Sequence, residues 1–336
     1  MTNAELSELL ALASEREPEQ RKAKALRRAA RAARAWPVEA ASLEDPGELR
    51  SIGPWLRRIV RSLLDEPPEL IDPPPIRDSF STFAHARSVV SEHHNARAAL
   101  LGDLQMHTTY SDGSASIEDM ARAAHALGHT YVAITDHSKG LKIAGGIDED
   151  RLAVQADEIA RVQDSVDVRI LRSMEVNLSI SGDVDMDSHS LASLDIVLAA
   201  FHSKLRVKED QTDRYLLALK NPHINTLAHP RGRIFNFRLG LSADWPRVFD
   251  AAAAAGKAVE IDAYPDRQDL NAPLLRLAAE AGCHISIGTD AHHPDELVFF
   301  DIGVAAAIEA GVPFDRIINT WPADRLVEWA RAARGL

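Results

Sequence analysis

Imidazole and carboxylate side chains recur at one kind of position in this chain, the end of an apolar run. Gln105-Met106-His107, Asp136-His137, Glu175, Phe201-His202, Ala228-His229 and Asp290-Ala291-His292 each close such a run, and a seventh run carries Glu260 and Asp262. Mixed histidine and carboxylate donors suit Mn, Fe and Zn alike. Ions held this way activate water and neutralise phosphoryl charge. One histidine at a run end says little. Five of the 14, namely His107, His137, His202, His229 and His292, share that position, so the runs must converge on a common face. The remaining histidines lie in helices, loops or the segment before the barrel, and we read them as ordinary surface or core residues.

The elements that position these donors are legible in the same region. The runs cover residues 100–107, 131–137, 168–178, 196–202, 224–229, 258–263 and 284–290. Helical patterns separate them. Ser116 caps one, Asp119 stands three residues on, Ile117, Met120, Ala124 and Leu127 share a face, and Gly128 ends it. Leu152, Ala156, Ile159 and Val162 repeat the pattern. Helices between runs imply parallel strands with crossovers. Seven such units in about 235 residues approach the size of a closed barrel, whose C-terminal face carries the chemistry. A doubly wound open sheet would gather its ligands at one crevice, whereas here nearly every run end offers a donor. The expected fold class is α/β: a distorted seven-unit β/α barrel of TIM type, preceded by a small all-α domain.

That first domain is expected over residues 1–66. Helix formers dominate residues 4–35, and the stretch from Lys22 to Arg34 is basic on one side and small on the other. Ser51-Ile52-Gly53-Pro54 then precedes an amphipathic helix. This is the shape of a helix-hairpin-helix, whose turn amides can hold a DNA phosphate, or of a plain packing element; Ser51 stands where the motif has its first glycine. Pro67, Pro68, Pro73, Pro74 and Pro75 block helix and central strand alike, so a linker is expected over 67–96 and the barrel over 97–336.

Hydrophobic residues make up 46% of the chain, ample for a large core, yet no apolar stretch reaches the roughly 18 residues that span a bilayer. The amino terminus has no signal-peptide pattern, and the single cysteine, Cys283, cannot form an internal disulfide. A cytoplasmic protein is expected. The net charge of -12 is uneven: residues 1–95 carry -1 and the rest -11. Two or three divalent ions would cancel part of that excess. Acidity on this scale argues against indiscriminate binding of nucleic acid.

Three stretches carry a family likeness. The run from Gly102-Asp103-Leu104 to Ser111-Asp112-Gly113, then Ala133-Ile134-Thr135-Asp136-His137-Ser138, then Gly288-Thr289-Asp290-Ala291-His292, resemble the motifs of the PHP (polymerase and histidinol phosphatase) superfamily, in that family's order. The resemblance covers residues 97–336. It implies a distorted seven-stranded barrel with a trinuclear site of Mn, Zn or Fe. Carried over position by position, His107, Glu175 and Asp290 would hold one metal, with Gln105 where many members have a second histidine. Asp112, His137 and His292 would hold a second. His202 and His229 would hold a third, with Glu175 bridging to the first. His107, His137, Glu175 and Asp290 are thus the expected catalytic core.

Within the superfamily the closest likeness is to the C-terminal domain of bacterial family-X DNA polymerases, on Leu227-Ala228-His229-Pro230-Arg231-Gly232-Arg233 and the stretch from Glu260 to Leu270. The polymerase core of that branch is missing. Ile59 stands where lyase-active helical domains carry lysine, so no Schiff-base chemistry is expected. Lys139, Arg233 and Arg267 follow run ends and are the expected phosphate clamps, Arg through its bidentate fork. The expected function is a metal-dependent phosphoesterase acting on DNA 3′ ends, as 3′-5′ exonuclease or 3′-phosphatase. A small-molecule phosphomonoesterase and a silent DNA-binding scaffold with one structural metal are the alternatives. Composition does not set the oligomeric state.

Overall fold

The computed structural model describes residues 1–69 and 72–336; residues 70 and 71, inside the expected linker, lie outside the described residues. The chain begins with helices α1 (Asn3–Arg16), α2 (Gln20–Ala35) and α3 (Pro54–Asp65). The expected helical stretch 4–35 is thus two helices. Pro18 divides them, because the residue before a proline is pushed out of the helical region, and Glu17 is extended at φ -78°, ψ 116°. Leu6, Leu10, Leu26, Ala30, Trp36, Leu56 and Val60 form their shared core. Between α2 and Gly53, at the cap of α3, the chain makes two single 3-10 turns, Ala40–Ser42 and Pro46–Glu48.

The stretch expected as linker also folds in part. Residues Phe83–Glu92 form α4 and His94–Ala98 form α5. Thr82 caps α4, its hydroxyl accepting from His85 N at 3.2 Å, and Phe83 packs edge-on against Phe299. The proline-free half of this segment has an apolar face to bury, and that decides its state.

Strands and helices then alternate: β1 (Gly102–Asp103), α6 (Ile117–Ala126), β2 (Tyr131–Ile134), α7 (Glu149–Gln163), β3 (Arg169–Asn177), α8 (Ser188–Ala192), β4 (Ile196–Ala200), α9 (Thr212–Leu219), β5 (Thr226–Leu227), α10 (Trp245–Ala254), β6 (Ala258–Asp262), α11 (Ala272–Glu280), β7 (His284–Gly288), α12 (Phe300–Ala310) and α13 (Ala323–Ala333). Among the described residues the sheet has seven strands in the order β1 to β7, every neighbour parallel. The expected capping of α6 forms: Ser116 and Asp119 satisfy each other's backbone amides. Leu104, Tyr131, Leu171, Ile196 and Leu198 fill the barrel, and Trp321, Leu326 and Ala330 close its lower end.

Closure between β1 and β7 is irregular. Met106 bridges Ala291, and His107 N donates to Ala291 O at 2.8 Å. Lower down, the Asn319 side chain fills the gap, donating to Gly102 O and Ile287 O and accepting from Ile287 N, each at 2.8 Å. Two strands are shorter than their apolar runs. β1 stops because the Asp103 carboxylate takes the Gln105 amide at 3.2 Å, replacing a ladder bond. β5 stops where His229 turns to φ +26° and gives its amide to Glu260 Oε2 at 2.7 Å.

The helical unit stands beside the barrel mouth. Arg77 donates to Glu8 through two nitrogens at 2.8 Å, to Glu15, and to Asn236 Oδ1 at 3.0 Å. Arg34 lies 4.0 Å over the Phe235 ring and donates to Phe80 O at 2.7 Å. Asn236 and Phe235 belong to the loop after β5, on the C-terminal side of the sheet where the donors gather. Among the described residues no helix is long and apolar enough to cross a membrane.

Candidate metal centre

Glu175, near the end of β3, is the hub. It is wholly buried. Its Oε1 lies 2.7 Å from His229 Nε2 and 3.2 Å from His202 Nε2; its Oε2 lies 2.9 Å from His137 Nδ1 and 3.5 Å from His107 Nε2. His107 Nε2 is also 3.0 Å from Asp290 Oδ1. Asp112 Oδ1 is 3.3 Å from His292 Nε2 and 3.6 Å from His137 Nε2. The His107 ring stacks with both His137 and His292, at centroid distances of 4.3 and 4.4 Å. Eight of the nine expected ligands therefore share one pocket. Donor atoms fall within 4.8 Å of one another in three overlapping groups: His107 with Asp112, His137 and His292; His137 with Glu175 and His202; His107 with Glu175 and Asp290.

Two of these pairs, His229 Nε2 with Glu175 Oε1 and His107 Nε2 with Asp290 Oδ1, are hydrogen-bonded; others approach without bonding. His137 Nδ1 and Glu175 Oε2 are 2.9 Å apart, yet both are buried without a hydrogen-bond partner among the described residues, as are His107 Nδ1 and His229 Nδ1. A buried orphan polar atom costs about 1–3 kcal/mol. Divalent ions between the donors would satisfy several at once, so the residues present fit them. The donor chemistry fits as well: imidazole and carboxylate with no thiolate.

Electrostatics follow from the crowding. Burial pushes the Glu175 carboxyl up, but the His137, His202 and His229 imidazoles override it and hold it well below the usual range. Burial likewise opposes, and Arg267 and His107 reverse, the shift of Asp290, which is held low. Burial lowers His229, yet the Glu175 carboxylate lifts it to about 10. In metal-free protein this raised value confers stability that is complete below about pH 6.5, the ordinary value, and is lost as pH rises through about 10. Ligation needs neutral imidazole, so preloaded protein lacks this loss. The gap in melting temperature between preloaded and stripped protein will therefore widen from pH 7 to 10. Differential scanning fluorimetry reads it, and a constant or narrowing gap contradicts it.

The ninth expected ligand, Gln105, faces elsewhere. With its amide assigned to the surrounding acceptors, its nitrogen donates to Glu260 Oε2 at 2.8 Å and to Oε1. Burial, with Asp262 close by, pushes the Glu260 carboxyl up. The three expected phosphate clamps separate. Arg267 lies at the ligands, Nε 3.1 Å from Asp290 Oδ2 and 4.0 Å from Asp262 Oδ2, with its side chain 32% exposed. Lys139 stands on the loop after β2, paired with Glu149 at 2.6 Å. Arg233 is instead a structural clamp. It is buried over the Phe80 ring at 3.6 Å, and donates to Arg267 O at 3.1 Å and Ser79 O at 2.8 Å, tying the segment before α4 to the mouth.

Two supporting roles were not read from the sequence, that of Asp136, seen there only as part of a run end, and that of Asn177. The Asp136 carboxylate accepts from Thr108 N and Oγ1, Ser111 N and Oγ, and Gln155 Nε2 at 2.5 to 3.2 Å. It thereby folds the loop that carries Asp112. Asn177 Oδ1 lies 2.6 Å from His202 Nδ1, which leaves Nε2 to face Glu175. Asn177 is in turn held by Ser138 and Asp185. Gly140 lies close against them: a Cβ there would fall 2.3 Å from Asp185 Oδ2, so that side chain would have to move. Partners of this kind typically set metal affinity by 10–100-fold. Asn177→Ala is expected to weaken metal binding by about tenfold or more, read by titration of stripped protein; unchanged affinity contradicts it.

Comparison with known proteins gives the same direction. The PHP domain matches residues 103–259. The DNA polymerase/3′-5′ exonuclease PolX of Bacillus subtilis is 36% identical over 252 residues, 74% of this chain and 43% of that protein. This chain thus spans less than half of that relative's length. A probable phosphatase of Acetivibrio thermocellus is 30% identical over 228 residues, 65% of this chain and 90% of that protein. Among solved structures, the histidinol phosphate phosphatase of Lactococcus lactis, complexed with zinc, L-histidinol and phosphate, superposes at a TM-score of 0.46 with 17% identity, covering 64% of this chain and 95% of that one.

Proposed function

This chain belongs to the PHP domain family of metal-dependent phosphoesterases, and on that premise we propose that it hydrolyses phosphate esters at the 3′ ends of DNA, as an exonuclease or a 3′-phosphatase. The observation that carries the hydrolytic reading is the Glu175 cluster, in which four imidazoles crowd within 3.5 Å of one buried carboxylate and leave His137 Nδ1 and Glu175 Oε2, 2.9 Å apart, without a hydrogen-bond partner among the described residues. We assign His107, Glu175 and Asp290 to one ion, Asp112, His137 and His292 to a second, and His202 with His229 and Glu175 to a third, the ions being Mn, Zn or Fe. Bound there, such ions lower the pKa of water and neutralise phosphoryl oxygens. The chain's own groups do the rest. Arg267 offers a guanidinium fork at the ligands for a non-bridging phosphate oxygen. Asp136 and Asn177 keep Asp112 and His202 in place. The DNA reading draws on the PolX relative and on the helical unit docked beside the mouth.

A second reading has its own support. Probable phosphatases match this chain over 90% of their length, which favours a small phosphomonoester. A scaffold with one structural metal is disfavoured, because such a site needs about four ligands and this pocket gathers eight. Incubating a 5′-labelled oligonucleotide with Mn²⁺ separates the readings. Shortening or loss of a 3′-phosphate, absent in His107→Ala, supports DNA as substrate. An intact oligonucleotide, with a small phosphate ester hydrolysed at least tenfold faster than by the variant, moves the assignment to the second reading.

A further inference from the structure

We propose that the outer face of α2 is a track along which a DNA strand runs toward the metal centre; this rests on the reading of the substrate as DNA. α2 carries seven cations and no carboxylate, and α3 adds three arginines against one aspartate, in a chain of net charge -12. Arg21, Lys24, Arg28 and Arg31 are exposed and follow at intervals of three, four and three residues, so they share one helix face. The row is about 15 Å long at about 1.5 Å per residue. That length matches about four phosphate steps of about 3.4 Å along one strand of a duplex. Arg21, Lys24 and Arg28 form no ion pair among the described residues, so the row's charge is not cancelled locally.

The row is also aimed. Its last member, Arg31, reaches the barrel with Nε 3.1 Å from Asp266 Oδ2, and the next residue along that loop is Arg267, against Asp290. Arg28 and Arg31 line a cleft of about 1250 Å³ between the helical unit and the barrel. Tyr264 and Glu296, bonded at 2.9 Å, line it too, and Glu296 accepts from His292 N at 2.8 Å. Cations therefore lead from the solvent end of α2 to within one residue of the metal ligands. A small phosphate ester would have no contact with a row outside the pocket; a polymer of phosphates would. An anionic membrane fits less well, because α2 shows no large exposed apolar side chain beside the row, as an interfacial helix has.

The test compares the full-length protein with its R21E/K24E/R28E variant, whose substituted residues are exposed and lie outside the pocket. Anisotropy of a labelled single-stranded oligonucleotide, titrated at several salt concentrations, reads binding. Hydrolysis of bis(p-nitrophenyl) phosphate checks that the metal pocket is intact. The expected result is an affinity loss of at least about 30-fold, a salt slope shallower by about 2, and unchanged hydrolysis of the small ester. Affinity and slope within twofold of wild type, no binding by wild type, or an equal loss on the small ester would overturn the track. If wild type binds through this face but leaves the oligonucleotide intact, the substrate reading fails and the track stands. If the variant shortens it as well as wild type does, the reverse holds.

Discussion

Glu175→Gln is expected to lower phosphoesterase activity by at least about 10³-fold, a loss of about 4 kcal/mol in transition-state stabilisation, and to reduce the bound metal. The substitution keeps the side-chain shape and removes one charge. In the wild-type pocket each carboxylate oxygen faces two imidazoles, Oε1 toward His202 and His229 and Oε2 toward His107 and His137. An amide supplies one neutral acceptor, a weak ligand, and turns its NH₂ toward imidazole nitrogens. Activity on a chromogenic phosphodiester and metal content by mass spectrometry read the two effects together. More than a tenth of wild-type activity with undiminished metal would show that Glu175 is not the hub.

Arg267→Ala is expected to cost about 10²-fold in kcat/KM, and Arg267→Lys nearly as much. The guanidinium touches Asp290 at 3.1 Å and sits 4.0 Å from Asp262, whose Oδ2 is buried without a hydrogen-bond partner. Its exposed edge places a fixed cation at the ligands. A lysine restores charge but not the planar fork that matches two phosphate oxygens. If charge alone mattered, Lys would restore most of the rate. Steady-state kinetics of both variants decide it, and a loss confined to Ala would contradict the clamp.

The parts of this molecule that sequence reasoning reached are those set by local rules. The capping box of α6 and the alternation of apolar runs with helices depend on residues within a turn or two of each other, and both form. The convergence of Glu175, His202 and His229 was legible because parallel strands must end on one side. What escaped depends on partners far along the chain. β1 and β5 end early because Asp103 and Glu260 capture backbone amides, and nothing local marks those captures. Arg233 looked like a phosphate clamp by position; its partners, Phe80 and Ser79, lie over 150 residues away. Asn177 did leave a signal, standing two residues past Glu175 on the same strand and so on the same face. The placement of the helices at the mouth rests on Arg77 joining Glu8 to Asn236, which no spacing rule anticipates.

The most direct test of the central claim is anomalous diffraction from crystals loaded with Mn²⁺, recorded on either side of its absorption edge. The account predicts at least two peaks around the Glu175 carboxylate, separated by about 3.5–4 Å as in two-metal hydrolytic sites, with His107, His137 and Asp290 among their ligands. A single ion elsewhere, or no peak within the pocket of a protein that still hydrolyses phosphate esters, would contradict it.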